Sequence, residues 1–208
     1  MTESAVNSGC EYQDASPTWA NAYLWPELKK IIAEHSVSRR RAFDLGCGNG
    51  ATANMLYELG FDVTGIDLSE SGIALGRRSF PHLKLDVGNV YDDLVGTYGQ
   101  FPLVVSLEVI EHCFNPRLFA KTFYNLIAAG GVGVLSTPYH GYWKNLALAV
   151  AGNWDKHLTA LWQGGHVKFF SVKTLGALLA EVGFKDIRFV RVGRIPPIAK
   201  SMIAIVRK

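Results

Sequence analysis

Cysteine is scarce. The chain has three in 208 residues, Cys10, Cys47 and Cys113, with no C-x-x-C spacing. This argues against a disulfide framework or a structural zinc site and fits a reducing cytoplasm, the expected location. Long apolar runs are also missing. The most apolar stretch, Leu146 to Ala151, is far shorter than the ~20 residues needed to span a bilayer, so any membrane contact is expected to be peripheral. The first thirty residues carry Glu3, Glu11 and Asp14 and no h-region, so no signal peptide is expected. No run of five or six like charges occurs. The densest cluster is Arg39-Arg40-Arg41, and 21 basic against 18 acidic residues leave a net charge of +3, a balance that gives a nucleic-acid partner no support. Charged residues make up only 19% of the chain and hydrophobic ones 49%, which excludes a disordered chain. The length suits one domain over residues 1–208, able to take roughly 70% of its extended surface out of water.

Strand-like and helix-like segments alternate along the chain. Residues 1–18 are polar, poorly patterned and expected to be mobile. Pro26 is placed to begin a helix whose apolar positions Leu28, Ile31 and Ile32 line one face. From residue 41 the order is strand 41–45, helix 51–59, strand 62–66, a helix capped by Ser69 through 79, strand 83–86 and strand 103–107. A helix follows from Asn115-Pro116 to 128, stopped by Gly130-Gly131, then strand 132–136. This alternation predicts a parallel, doubly wound α/β sheet with helices on both faces. Between residues 138 and 170 the period breaks, and Tyr139, Tyr142, Trp143, Trp154 and Trp162 accumulate with His140, His157 and His166. That segment is read as a partly helical aromatic lid. A helix 171–182 and two closing strands, 185–192 and 200–207, around Pro196-Pro197 complete the chain.

Asp44-Leu45-Gly46-Cys47-Gly48-Asn49-Gly50 joins the first strand to its helix. Three alternate glycines permit positive φ and remove the Cβ atoms that would hold a ligand off the backbone, while the helix start presents amide donors. Asp67, in Gly65-Ile66-Asp67-Leu68, ends the second strand at the distance where an acid meets ribose hydroxyls. A nucleotide-like ligand follows. The pattern is G-x-G-x-G rather than the dinucleotide G-x-G-x-x-G, and Asp44 directly before it suits a ligand that carries positive charge.

The segment resembles the first signature of class I S-adenosylmethionine-dependent methyltransferases. The resemblance implies a Rossmann-like, seven-stranded, mostly parallel sheet with an antiparallel last strand, and S-adenosyl-L-methionine as cofactor. It assigns the methionine portion to Gly46, Cys47, Gly48, Asn49 and Gly50, the ribose to Asp67 with Leu68, and the adenine to Asn89 and Val90, which a plain turn explains nearly as well. Leu107 would reach the cofactor from the fourth strand. Ser106-Leu107-Glu108-Val109-Ile110-Glu111-His112 more specifically resembles the ubiquinone-pathway O-methyltransferases and their small-molecule relatives. There the two acids and the histidine are linked to a divalent cation and the reacting hydroxyl. Glu108, Glu111 and His112, at i, i+3 and i+4, can converge on magnesium, manganese or zinc from one helix face; equally, Glu111 can be solvated and Glu108 a cap. His112 and His166 are the candidate proton acceptors; the resemblance equally allows His166, in Gly164-Gly165-His166-Val167, as a second metal contact, and a plain packed histidine explains it as well. Tyr139, His140, Tyr142, Trp143 and Trp162 are the candidate contacts to a small-molecule methyl acceptor, with two of the four aromatics expected to face the pocket. The implied reaction is in-line methyl transfer to a hydroxyl oxygen. The alternatives are nitrogen, carbon or sulfur methylation without a metal, or a non-catalytic S-adenosylmethionine-binding partner.

Overall fold

The computed structural model describes residues 12–35, 40–158, 161–162 and 164–208. Helix α1 (Asn21–Glu34) precedes β1 (Arg41–Leu45), α2 (Ala51–Glu58), β2 (Asp62–Asp67), α3 (Glu70–Ser79) and β3 (Lys84–Val87). There follow α4 (Leu94–Tyr98), β4 (Phe101–Leu107), a 3₁₀ turn (Ile110–His112), α5 (Pro116–Leu126) and β5 (Ile127–Pro138). The remainder is α6 (Tyr142–Val150), α7 (Trp154–Leu158), α8 (Val172–Glu181), β6 (Asp186–Val192) and β7 (Ser201–Arg207). Local chemistry sets many of these boundaries. The Ser69 hydroxyl accepts from Gly72 N at the start of α3, Asn115 accepts from Leu118 N with Pro116 as the first residue of α5, and Ser171 and Thr174 form a reciprocal cap on α8.

The seven strands lie in the order β3-β2-β1-β4-β5-β7-β6. Strands β1 to β5 pair in parallel, and β7 is antiparallel to both of its neighbours. Parallel strands must be covered on both faces, and their side chains divide accordingly. Phe43, Leu45, Ile66 and Val104 pack with Phe119 and Phe123 of α5 and Leu175 and Leu179 of α8. Ala42, Val63, Leu103 and Val105 pack on the other face with Leu24, Leu28 and Ile31 of α1 and Leu56 of α2. The carboxyl ends of β1, β2, β4 and β5 therefore open on one edge between two filled layers, where ligands bind in such sheets.

Several elements differ from the sequence expectations. Helix α1 begins at Asn21, not at Pro26, because Leu24 is fully buried on the same face as Leu28, Ile31 and Ile32; that burial outweighs the backbone hydrogen bond the internal proline removes. Helix α5 stops at Leu126, two residues early, because Ile127 already pairs with Phe101 in the sheet. The register then shifts so that Leu103 faces Val132, while Gly130 and Gly131 bond to the terminal Lys208. Helix α4 has no counterpart among the expected elements; its single turn rests on Asp93, which caps Gly96 N, and buried Leu94. Of residues 1–18, 1–11 lie outside the described residues, whereas Tyr12 to Ser16 pack against the glycine loop.

Candidate active site

The loop after β1 is pinned to β2 by Gly46 N and Cys47 N, which both donate to Ile66 O at 2.9 and 2.8 Å. Gly46 and Gly48 adopt φ of +83° and +54°, and a Cβ on either would collide, with Val109 and with the Tyr12 ring respectively. Asp67 holds the loop in place: its Oδ2 accepts from Gly48 N and its Oδ1 from Ser69 N, each at 2.8 Å. Asp44 is buried at the end of β1 and its Oδ2 has no hydrogen-bond partner. Burial first, and then the charge of Asp67, push its pKa up to about 7. A buried carboxylate oxygen without a partner is costly unless a cationic or donor group arrives to meet it. The side chain of Asn49 ties the glycine loop to the residues before α1. Its amide donates to Asp14 O and Ser16 O at 3.0 and 2.9 Å, binding residues 14–16 over the loop, while its oxygen accepts from Ala51 N. Asn89 closes a turn, with Oδ1 accepting from Tyr91 N at 3.0 Å; Val90 is buried in the core; Leu68 and Leu107 are half-buried at the tips of β2 and β4.

Beyond β4 the chain turns sharply. Glu108 has φ of +55°, the only non-glycine residue above zero among those described, a left-handed conformation that costs roughly 1–2 kcal/mol. Its backbone N–H donates to Ser136 Oγ at 3.0 Å, and its carboxylate accepts from Ser136 Oγ at 2.7 Å and Ser201 Oγ at 3.2 Å. Burial pushes the Glu108 pKa up to about 7. Residues 110–112 form a single 3₁₀ turn, so the expected helix face of Glu108, Glu111 and His112 does not exist. Glu108 faces the serines, and His166 comes in instead: one ligand atom each from Glu111, His112 and His166 lies within 4.8 Å of the others. Glu111 is completely buried, and neither carboxylate oxygen has a hydrogen-bond partner; burial and then the Glu108 charge raise its pKa well above the ordinary value. His112 Nδ1 lies 2.7 Å from Gly164 O, a contact in which the ring must donate, so Nε2 is left with the lone pair. Burial lowers the pKa of both histidines, that of His166 to about 4, so both are neutral near pH 7.

The expected acceptor contacts separate. Trp162 meets the rings of His112 and His166 edge-on, each at 6.0 Å. Tyr139 and His140 are buried where β5 meets residue 170. Tyr142 and Trp143 point to solvent; the inward residue of α6 is Lys144, only 7% exposed, whose Nζ donates to Lys200 O at 3.2 Å. Burial and then Arg194 bring its pKa down to about 8. Lys144 was not expected, since a lysine among apolar residues reads as the wet side of a helix. Ser136 and Ser201 gave a weak signal, standing at the ends of strands. Tyr12 and its neighbours gave none.

Residues 19–188 match the family described as "Methyltransferase domain". The chain belongs to that family. It is similar to the ubiquinone biosynthesis O-methyltransferase of Caulobacter sp. (strain K31), with 34% identity over 54% of this chain and 46% of that one. The enzyme of the same description from Psychrobacter arcticus is 30% identical over 73% of this chain and 62% of its own length. The matched stretch thus spans about half of these curated relatives. Among solved structures, magnesium protoporphyrin IX methyltransferase from Synechocystis PCC 6803, with bound SAH, superposes with a TM-score of 0.67 at 16% identity, over 88% of this chain and 80% of that one. The resemblance to class I S-adenosylmethionine-dependent methyltransferases holds for family and fold.

Proposed function

We propose that this chain binds S-adenosylmethionine against the glycine loop and transfers its methyl group to a hydroxyl oxygen of a small-molecule acceptor held at Glu111, His112 and His166. One observation carries the reading: a fully buried, unpartnered carboxylate stands beside two neutral histidines, near enough to the cofactor crevice that the Asp67 charge acts on His112. The names of the similar enzymes support oxygen as the accepting atom.

On the donor side, Asp44 Oδ2 would receive the ammonium of the methionine portion, and Asp67 would accept from the ribose hydroxyls with the lone pairs left by Gly48 N and Ser69 N. The sulfonium donor is already activated, so most of the rate comes from alignment. Holding the reactants in line contributes roughly 7–11 kcal/mol, against the ~10²- to 10⁴-fold of proton removal. On the acceptor side, His166 at about pKa 4 binds a proton too weakly to act as general base for a hydroxyl near neutral pH. Its lone pair, with His112 Nε2 and Glu111, instead makes a mixed nitrogen and oxygen set that fits magnesium, manganese or zinc. Bound there, such a cation supplies Lewis-acid polarisation of the acceptor hydroxyl. Glu111, whose raised pKa favours the neutral acid while it stands unpartnered, would ionise on meeting such a cation, and Glu108, turned to Ser136 and Ser201, fixes the backbone that presents it.

The test is incubation of protein and donor with pools of hydroxylated, amino and thiol acceptors, read by mass spectrometry. A single CH₂ gain on hydroxylated compounds, lost after chelation, supports the reading. Transfer to amines or thiols that survives chelation, or donor binding with no product from any class, refutes it.

A further inference from the structure

Glu108 is the turning point of the acceptor side. Its N–H is shared between Ser136 Oγ at 3.0 Å and Ser136 O at 3.2 Å, and its carboxylate takes the hydroxyls of Ser136 and Ser201. Both serines are completely buried, near the paired ends of β5 and β7. Neither has a proton to spare. A serine hydroxyl carries one, and each is already given to Glu108. Toward the Tyr23 hydroxyl of α1, 3.1 Å away, Ser201 Oγ can therefore only accept. Burial pushes the Tyr23 pKa up to about 12, so the phenol keeps its proton. Counting protons thus fixes the order Tyr23 to Ser201 to Glu108. The Tyr23 ring is itself steadied by Trp19, with 5.7 Å between centroids, and by the Lys200 ammonium 5.2 Å over its face.

This line of hydroxyls acts on the site through the backbone. Glu108 sits at φ +55°, a conformation that a residue with a Cβ keeps only where its surroundings over-determine it. Glu111 and His112 follow in the next turn, where His112 N donates to Val109 O at 3.0 Å. If Glu108 relaxes, that turn changes direction and carries Glu111 and His112 away from His166.

We propose that Tyr23 is a positioning residue of the acceptor side: acting through Ser201, it holds the Glu108 carboxylate and so the left-handed turn that presents Glu111 and His112. The inference rests on the reading of that cluster as the acceptor site. Tyr23 and Ser201 stand 178 positions apart, so their contact makes α1, a helix that covers the sheet, a part of the site.

The experiment is a double-mutant cycle on the full chain, with Tyr23→Phe, Ser201→Ala and both changes together, read by turnover, donor affinity and backbone amide resonances. Tyr23→Phe keeps the ring and removes one hydroxyl, so turnover should fall about five-fold; Ser201→Ala, which removes a bond to a carboxylate, should lower it about 10- to 100-fold. Donor affinity should stay within about two-fold in each. On the Ser201→Ala background Tyr23→Phe should change nothing further, because its path to Glu108 is already cut. The amide resonances of residues 108–112 should move in both variants while those of 46–50 stay, and the tyrosine change should lower the melting temperature by only about 2–4 °C. Unchanged turnover in Tyr23→Phe, losses that multiply in the double variant, or unmoved resonances at 108–112 overturn the proposal and leave Tyr23 a packing residue. A wild-type chain that transfers no methyl group refutes the reading of the site instead, and the resonances alone then decide the positioning.

Discussion

The two ends of the crevice bury their acids in contrasting surroundings. At the β1 and β2 tips Asp44 lies beside the charge of Asp67, and its own oxygen lacks a partner. Beyond β4, Glu111 lies beside two histidines that are themselves neutral, with Lys144 turned in nearby toward Glu108. The first arrangement suits a group that stays cationic throughout, such as the ammonium of the methionine portion. The second suits an acceptor that arrives neutral and has to lose a proton. In the proposed reaction a surplus of buried carboxylate would stand where charge comes with the donor, and a balanced set of acid and lone pairs where charge develops.

The sharpest way to break this contrast is Glu111→Gln. Turnover is expected to fall about 10²- to 10⁴-fold with donor affinity unchanged. Because the lost carboxylate is buried without partners, the melting temperature should hold or rise. Steady-state rates, calorimetric donor binding and a thermal melt check the three parts, and equal losses of turnover and donor affinity would merge the two ends. Next, Asp67→Ala should weaken donor binding about 10- to 100-fold and also loosen the glycine loop, since it removes acceptors from two backbone N–H groups. Third comes pH. Asp44 must be ionised to hold a cation and its pKa is near 7, so donor affinity should be full above that value and decline up to ten-fold per unit as pH falls through it. Asp44→Asn should bind weakly and flatten that profile, which titrations between pH 6 and 9 would reveal. The smallest effect belongs to Asn49→Ala. Losing two hydrogen bonds to residues 14 and 16 should cost about 1–2 kcal/mol in all and alter donor affinity a few-fold, with faster amide exchange over 12–16.

How much of this could be read along the chain depended on the range of the interactions. The proposed cofactor end lies in one strand-loop-helix-strand unit, where glycine φ, strand ends and an acid are local properties; that Asp44, Gly46, Gly48 and Asp67 stand together was legible for that reason. Even there, the bridge from Asn49 to residues 14 and 16 joins positions more than thirty apart, and no local pattern announces it. The acceptor end is assembled from three separated segments. The resemblance, joined to an assumed helical spacing, placed Glu108 with Glu111 and His112. The left-handed backbone at Glu108, fixed by Ser136 across the sheet, breaks that helix, and Glu111 O, accepting from Val167 N and Lys168 N, holds His166 in place from more than fifty residues away. Helix α6 misled for a related reason. Its composition shows an apolar helix but not which side faces inward, and the inward position went to Lys144, whose partner Lys200 O lies on another element.

Calorimetric titration of the wild-type chain at pH 8 with S-adenosylmethionine, and separately with a nicotinamide dinucleotide, tests most directly whether the glycine loop and Asp44 form a site for a cationic sulfur nucleoside. One saturable equivalent of S-adenosylmethionine and no dinucleotide binding is the expected result. Dinucleotide binding in its place, or no saturable heat from either compound, would contradict it.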